Sequence, residues 1–136
     1  MPIPDHIYKF QVKEHHLDTF AHVNNAVYLQ LFEEARWDWI TANGYGLEEV
    51  RSSGLGPVIL EIKINFKREL KLRRQITINT YVSDAACKIC TLKQEMIDEE
   101  GRLCCAAEFS FGLFDLNKRK LVNPTDKWLK AISPAH

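Results

Sequence analysis

The chain is expected to be an α+β domain in which an antiparallel sheet of about five strands wraps around one long central helix. Two observations predict this class. Periodic segments run in the order strand, long helix, then four strands in succession, without the crossover helices that a doubly wound parallel sheet requires. The long helix is apolar over only part of its circumference, so a sheet can cover one face and leave the other wet. The 136 residues suit one domain, taken as 1–136, with neither internal repeats nor low-complexity segments.

Residues 7–13 alternate Tyr8, Phe10 and Val12 with Lys9, Gln11 and Lys13, the period of a half-buried strand. A helix of about 18 residues follows, with Tyr28, Leu31, Phe32, Ala35 and Trp39 on its apolar face, extended by Leu29 and Ile40. It ends near Gly44, a suitable C′ glycine. A short amphipathic turn, LEEVRSS, comes next, and then a Gly-Leu-Gly-Pro break. Beyond it VILEIKINFK alternates Val58, Leu60, Ile62, Ile64 and Phe66 with more polar residues. QITINTYV, ICTLKQEMI and RLCCAAEFSFGLFDL read as three more strands, the last two joined by a hairpin turn at Asp98-Glu99-Glu100-Gly101. NPTDKWLKAI starts like a short helix with Asn123 as N-cap and Pro124 at its first position.

Lysines and arginines number 18 and acids 18, so bulk charge favours no polyanion and a nucleic-acid partner is not expected. The opening MPIPDHIYKF lacks the pattern of a signal peptide, and no run approaches the ~20 apolar residues of a membrane span. A cytoplasmic protein without stable membrane insertion is the expectation. The four cysteines then read as reduced thiols. Cys87 and Cys90 spell CxxC, but both they and the Cys104–Cys105 pair fall in apparent strands, where an odd separation sends side chains to opposite faces and argues against a four-sulfur zinc site.

One stretch stands apart. LDTFAHVNNAVYLQLFEEARWDW packs Asp18, His22, Asn24 and Asn25 into the approach to the long helix. Each alone has an ordinary reading: Asp18 as a turn residue, Asn24 as an N-cap, His22 as a packed loop histidine. His15, Asp18 and His22 also spell a two-histidine, one-carboxylate iron set, for which the later strands offer no support. Arg36, three residues after Glu33, reads as a structural ion pair. Trp37 sits among polar positions, where a subunit contact, a ligand tunnel or a partly covered surface position all fit.

The pattern Asp, three variable residues, His-Val-Asn-Asn, Tyr and then Glu-Glu-Ala-Arg-Trp closely resembles the 4-hydroxybenzoyl-CoA thioesterase family of hot-dog proteins, especially its branch of bacterial long-chain acyl-CoA thioesterases. Here those positions are Asp18, His22, Val23, Asn24, Asn25, Tyr28, Glu33, Glu34, Ala35, Arg36 and Trp37, and INFKR extends a weaker resemblance along the chain. The resemblance implies the hot-dog fold and hydrolysis of acyl-CoA thioesters to free acid and coenzyme A. It assigns Asp18 as nucleophile or general base, the backbone N–H near Asn25 as oxyanion donor, and His22 as their companion.

Elementary chemistry agrees, because thioester hydrolysis needs a group to attack or to deprotonate water and a donor for the developing oxyanion. A carboxylate beside a helix N-terminus supplies both. Asn24 and Tyr28 are the neighbouring substrate contacts, while Lys67, Arg68 and Lys88 are candidates for the coenzyme phosphates. Neither metal nor redox cofactor is expected. Family members bind coenzyme A between subunits, implying a homodimer or a homotetramer. Two rivals stay open at this level: an aromatic acyl group such as hydroxybenzoyl in place of a fatty one, and a non-catalytic acyl-CoA-binding module.

Overall fold

The computed structural model describes residues 2–18 and 21–133. The sheet is antiparallel throughout, with strands β1 (His6–Gln11), β2 (Leu55–Phe66), β3 (Gln75–Ser83), β4 (Cys90–Ile97), β5 (Leu103–Asp115) and β6 (Lys120–Val122). The main order is β1-β3-β4-β5-β2, and β6 adds three residues to β5 beyond the end of β4. The five strands predicted from the sequence are present; β6 is the addition. Helix α1 (Asn25–Ala42) lies across the sheet, followed by α2 (Leu47–Ser53), and α3 (Asp126–Ile132) closes the chain.

Helix α1 buries Tyr28, Leu31, Phe32, Ala35, Trp39 and Ile40, the face expected from its periodicity. Each fully buried large side chain stabilises the fold by roughly 1.5–3 kcal/mol before entropy is counted. The helix stops where Gly44 takes φ +88°, a conformation that costs glycine nothing, and its N–H closes on the Thr41 carbonyl. The sheet contributes Ile76, Ile78, Leu92, Met96, Cys105, Ala107, Phe109, Phe111 and Leu113 to the same core.

A polar network lies within that core. Gln94 and Thr80 are fully buried, and the Gln94 amide donates to Thr80 Oγ1 (3.1 Å) and to the Phe32 carbonyl of α1 (3.2 Å). Arg36 completes it by donating from Nη1 to Gln94 Oε1 at 2.9 Å, and its guanidinium lies 4.5 Å from the Phe109 ring centroid. Burial pulls the Arg36 pKa down to about 10, with the charge of Glu33 acting in the opposite direction. The expected Glu33–Arg36 pair is therefore replaced by a bond across to the sheet, which satisfies a buried amide that would otherwise cost ~1–3 kcal/mol.

Four further expectations are corrected. Strand β1 stops at Gln11, leaving Val12 buried beyond it. Strand β2 starts at Leu55, inside the expected break, and carries a bulge between Ile59 and Glu61. The bulge shifts the phase: Ile59, rather than Val58, shares the helix-facing side with Ile62, Ile64 and Phe66, as their pairing with Phe111, Phe109, Ala107 and Cys105 requires. Cys87 lies exposed in the turn before β4, while Cys104 and Cys105 occupy opposite faces of β5 and are both buried. The cap of α3 is Thr125, whose Oγ1 accepts from Trp128 N at 3.2 Å, so Asn123 and Pro124 fall outside the helix. Thr125→Ala is expected to cost ~1 kcal/mol in denaturant unfolding and Asn123→Ala under ~0.5; equal losses would remove the reassigned cap.

Candidate active site

The approach to α1 folds back on itself. Leu17 and Val23 form an isolated antiparallel bridge, and the Asp18 N–H donates to the His22 carbonyl at 2.8 Å. Ala21 makes the reversal at φ +62°, its N–H bonded to the Asp18 carbonyl at 3.1 Å. Thr19 and Phe20 lie outside the described residues. The loop leaves Asp18 half-buried, with Oδ1 accepting from the His22 backbone N–H at 3.2 Å. Thus the reversal that positions the acid also supplies a donor to its carboxylate.

Asn24 is the N-cap of α1, its Oδ1 accepting from Ala26 N at 2.9 Å. Its carbonyl receives the N–H groups of Val27 and Tyr28. The Asn25 N–H makes no hydrogen bond among the described residues, so the helix begins with a backbone donor left over. The partial positive charge of the helix end falls at the same place.

His22 departs from the expected arrangement. Its exposed ring turns to Glu69, with Nε2 3.4 Å from Oε1, and it is the backbone of His22 that touches the Asp18 carboxylate. The iron reading fares no better. His15 stacks on His16 at 4.1 Å within the 3₁₀ turn Glu14–His16, and no three His, Cys, Asp or Glu side chains converge among the described residues. Burial also raises the Cys90 thiol to about 11 and the Cys105 thiol to about 12, leaving both protonated at neutral pH and poor nucleophiles.

Opposite the helix end stands the end of β2. The buried Tyr28 ring meets Phe66 edge-on, with centroids 4.9 Å apart and planes at 78°. Burial pushes the Tyr28 phenol upward, with the Leu70 backbone amide working against it. His22, Asn25, Tyr28, Phe66, Lys67 and Arg68 border an open hollow of about 340 Å³. Lys67 and Arg68 are held there because both their N–H groups donate to the Cys104 carbonyl, at 2.8 and 3.0 Å.

The same two cations border a second hollow of about 320 Å³ with Lys71, Arg74 and Arg102. Arg102 is committed to Asp98 at 2.9 Å and Arg74 lies within 3.8 Å of Glu99, whereas Lys67, Arg68 and Lys71 form no ion pair among the described residues. Lys88 is not brought to this cluster. Its carbonyl lies against Gly112, whereas Lys67 and Arg68 are bonded at Cys104, eight residues along β5 and so ~26 Å away. Sequence reasoning missed Phe66 and Glu69 as neighbours of His22 and Tyr28; nothing local signals contacts across 47 and 38 residues.

The helix-facing side of β2 continues the hollow. Helix α1 packs closest to β1 and β3, and Ile62 and Phe66 stay 43% and 48% exposed although they point to the helix side. The helix-facing side of β2 therefore presents an apolar strip beside α1, a shallow trough in outline, from Phe66 past half-buried Ile64 and exposed Ile62 to Ile59.

Comparison with known proteins places this geometry. The chain is 32% identical over 113 residues to the long-chain acyl-CoA thioesterase FadM of Escherichia coli, covering 82% of this chain and 85% of the relative. Among solved structures, YbaW Probable Thioesterase of Escherichia coli superposes with TM-score 0.79 at 28% identity, covering 93% of this chain and 95% of that one. The Staphylococcus aureus protein SAV2348, solved in complex with CoA, superposes with TM-score 0.88 over 98% of this chain and 85% of that one, at 19% identity that speaks for the fold alone. Residues 12–132 match the family model of the Thioesterase-like superfamily, and the chain belongs to that superfamily.

Proposed function

We propose that this protein hydrolyses acyl-CoA thioesters to free acid and coenzyme A, with fatty acyl groups preferred. The observation that carries the reading is the pairing of the half-buried Asp18 carboxylate with the unbonded Asn25 N–H at the start of α1, beside the hollow that Phe66 and Tyr28 border. The activity named for FadM supports it.

In this reading the Asp18 carboxylate takes a proton from water as the water oxygen attacks the thioester carbonyl. The oxyanion that forms accepts from the Asn25 N–H and feels the helix dipole. Collapse breaks the C–S bond, and the coenzyme thiolate leaves and is protonated. Direct attack by Asp18 is the alternative, forming a mixed anhydride that water then opens. His22 serves as a positioning residue through its backbone N–H, and Asn24 by capping the helix.

Lys67 and Arg68, with Lys71, are assigned to the coenzyme phosphates; Lys88 is left out because it lies far along β5 within one chain. The trough along Ile64 and Ile62 supports a long apolar acyl group over a compact aromatic one, since it continues well past the carbonyl site.

A homodimer or homotetramer completes the proposal. Strand β2 is a twelve-residue edge with Leu60, Ile62 and Phe66 exposed, a surface that pairing with a second copy would cover. No helix among the described residues is long and apolar enough to cross a membrane, and the four free cysteines support a cytoplasmic setting.

Four measurements test this. Asp18→Asn keeps shape but removes the charge, so turnover should fall at least ~100-fold while substrate still binds; wild-type turnover would refute the assignment. After single-turnover hydrolysis in oxygen-18 water, label in Asp18 establishes the anhydride route, and without label the trapping of an acylated Asp18 decides between the two routes. The double variant Lys67→Ala, Arg68→Ala should raise KM more than it lowers kcat, because contacts remote from the reacting carbon hold ground and transition states alike; unchanged kinetics would return both to the solvated surface. Ile62→Lys should shift the light-scattering mass towards the monomer, and an unshifted mass would exclude β2 as the subunit edge.

A further inference from the structure

At the far end of the trough from Asp18, a cavity of about 90 Å³ lies between the later turns of α1, the start of β2 and α3. Its walls are mainly apolar, with Ile59, Leu92 and Phe111 among them, and all three tryptophans of the chain, Trp37, Trp39 and Trp128, border it. The polar chemistry on these walls is biased toward donors. The buried indole N–H groups of Trp39 and Trp128 have no hydrogen-bond partner among the described residues, but both are enclosed by protein rather than open to the cavity. Arg36 is on the same wall and spends one N–H on Gln94. It forms no ion pair among the described residues and keeps donors to spare. The carboxylate that shares the cavity rim, Glu33, is exposed to solvent.

Partly burying an arginine is costly, and Arg36 has only the Phe109 ring and the solvent-exposed charge of Glu33 to offset it. An apolar chain end would leave the spare Arg36 donors unused. We infer that the cavity is a subsite for the far end of the acyl chain and takes a carboxylate there, so that the protein favours acyl-CoA whose chain ends in a second acid group. The inference rests on the acyl-CoA reading above. Arg36 would be the specificity-determining residue, supplying a charge-assisted bond.

The spacing suits this use. Arg36 stands eleven residues beyond Asn25 on one helix, roughly 16 Å along its axis, the reach of an extended chain of about a dozen carbons. The cavity itself holds only the last few atoms of such a chain; the trough past Ile64 and Ile62 takes the rest.

The test uses two thioether ligands that cannot be hydrolysed, S-dodecyl-coenzyme A and its ω-carboxy counterpart, titrated into the wild-type protein. Because every tryptophan borders the cavity, intrinsic fluorescence reports its occupancy. The ω-carboxy ligand should change the fluorescence and bind roughly tenfold tighter, and Arg36→Met should bring the two affinities together. Equal or weaker binding of the ω-carboxy ligand, unchanged fluorescence, or a preference that survives in folded Arg36→Met overturns the inference. Should Arg36→Met fail to fold, the wild-type comparison decides alone. Thiol release from dodecanoyl-CoA is measured separately. Release without ω-carboxy preference removes the subsite and leaves the hydrolase; preference without release does the reverse.

Discussion

One α-helix with its side chains is about 10 Å wide, whereas five strands side by side span about 19 Å. A sheet wrapped around a single helix therefore has more apolar face than the helix can cover. In this protein the surplus falls on β2: α1 packs on β1 and β3, reaches β4 and β5 through Phe32 and Arg36, and leaves Ile62 and Phe66 exposed on the helix side. The uncovered strip is a cost to the isolated chain and the origin of its candidate site. It provides the trough, one wall of the hollow beside Asn25, and an unpaired strand edge.

Where α1 does cover the sheet, its rotation is held by a polar link as well as by apolar contact. Gln94 bonds to Thr80 on the neighbouring strand and to the Phe32 carbonyl, and Arg36 bonds back to Gln94. Turning the helix by one residue would strand a buried amide and a guanidinium, at several times the net value of a single hydrogen bond. The same link holds Arg36 against the far cavity. Fold specificity and the donor character of that cavity thus share one side chain.

At the other end of α1 the logic is backbone chemistry. A helix must start with unpaired N–H groups, and Asn24 satisfies one while the Asn25 N–H stays unbonded. The tight reversal through Ala21 brings the Asp18 carboxylate onto the His22 amide immediately before that start. An acid and a donor consequently arise from one short segment, with the sheet needed only to put a wall opposite them.

How much of this could be read without coordinates follows from the range of each interaction. The α1 apolar face, the Asn24 cap, the Gly44 stop and the Asp98–Gly101 hairpin depend on neighbours within a few residues, so periodicity and residue type determined them, along with the succession of strands and helix along the chain, while the candidates Asp18 and Asn25 came from the resemblance of their motif. The bulge in β2 was hidden, because an apolar alternation looks unbroken whether or not one residue steps out of register with its partner strand. Likewise the choice of Thr125 over Asn123, the turn of His22 toward Glu69, the separation of Lys88 from Lys67 and Arg68, and the reach of Arg36 to Gln94 were decided by the tertiary structure. Each is a competition between alternative partners, and only the packing of distant segments brings the winning partner within bonding distance.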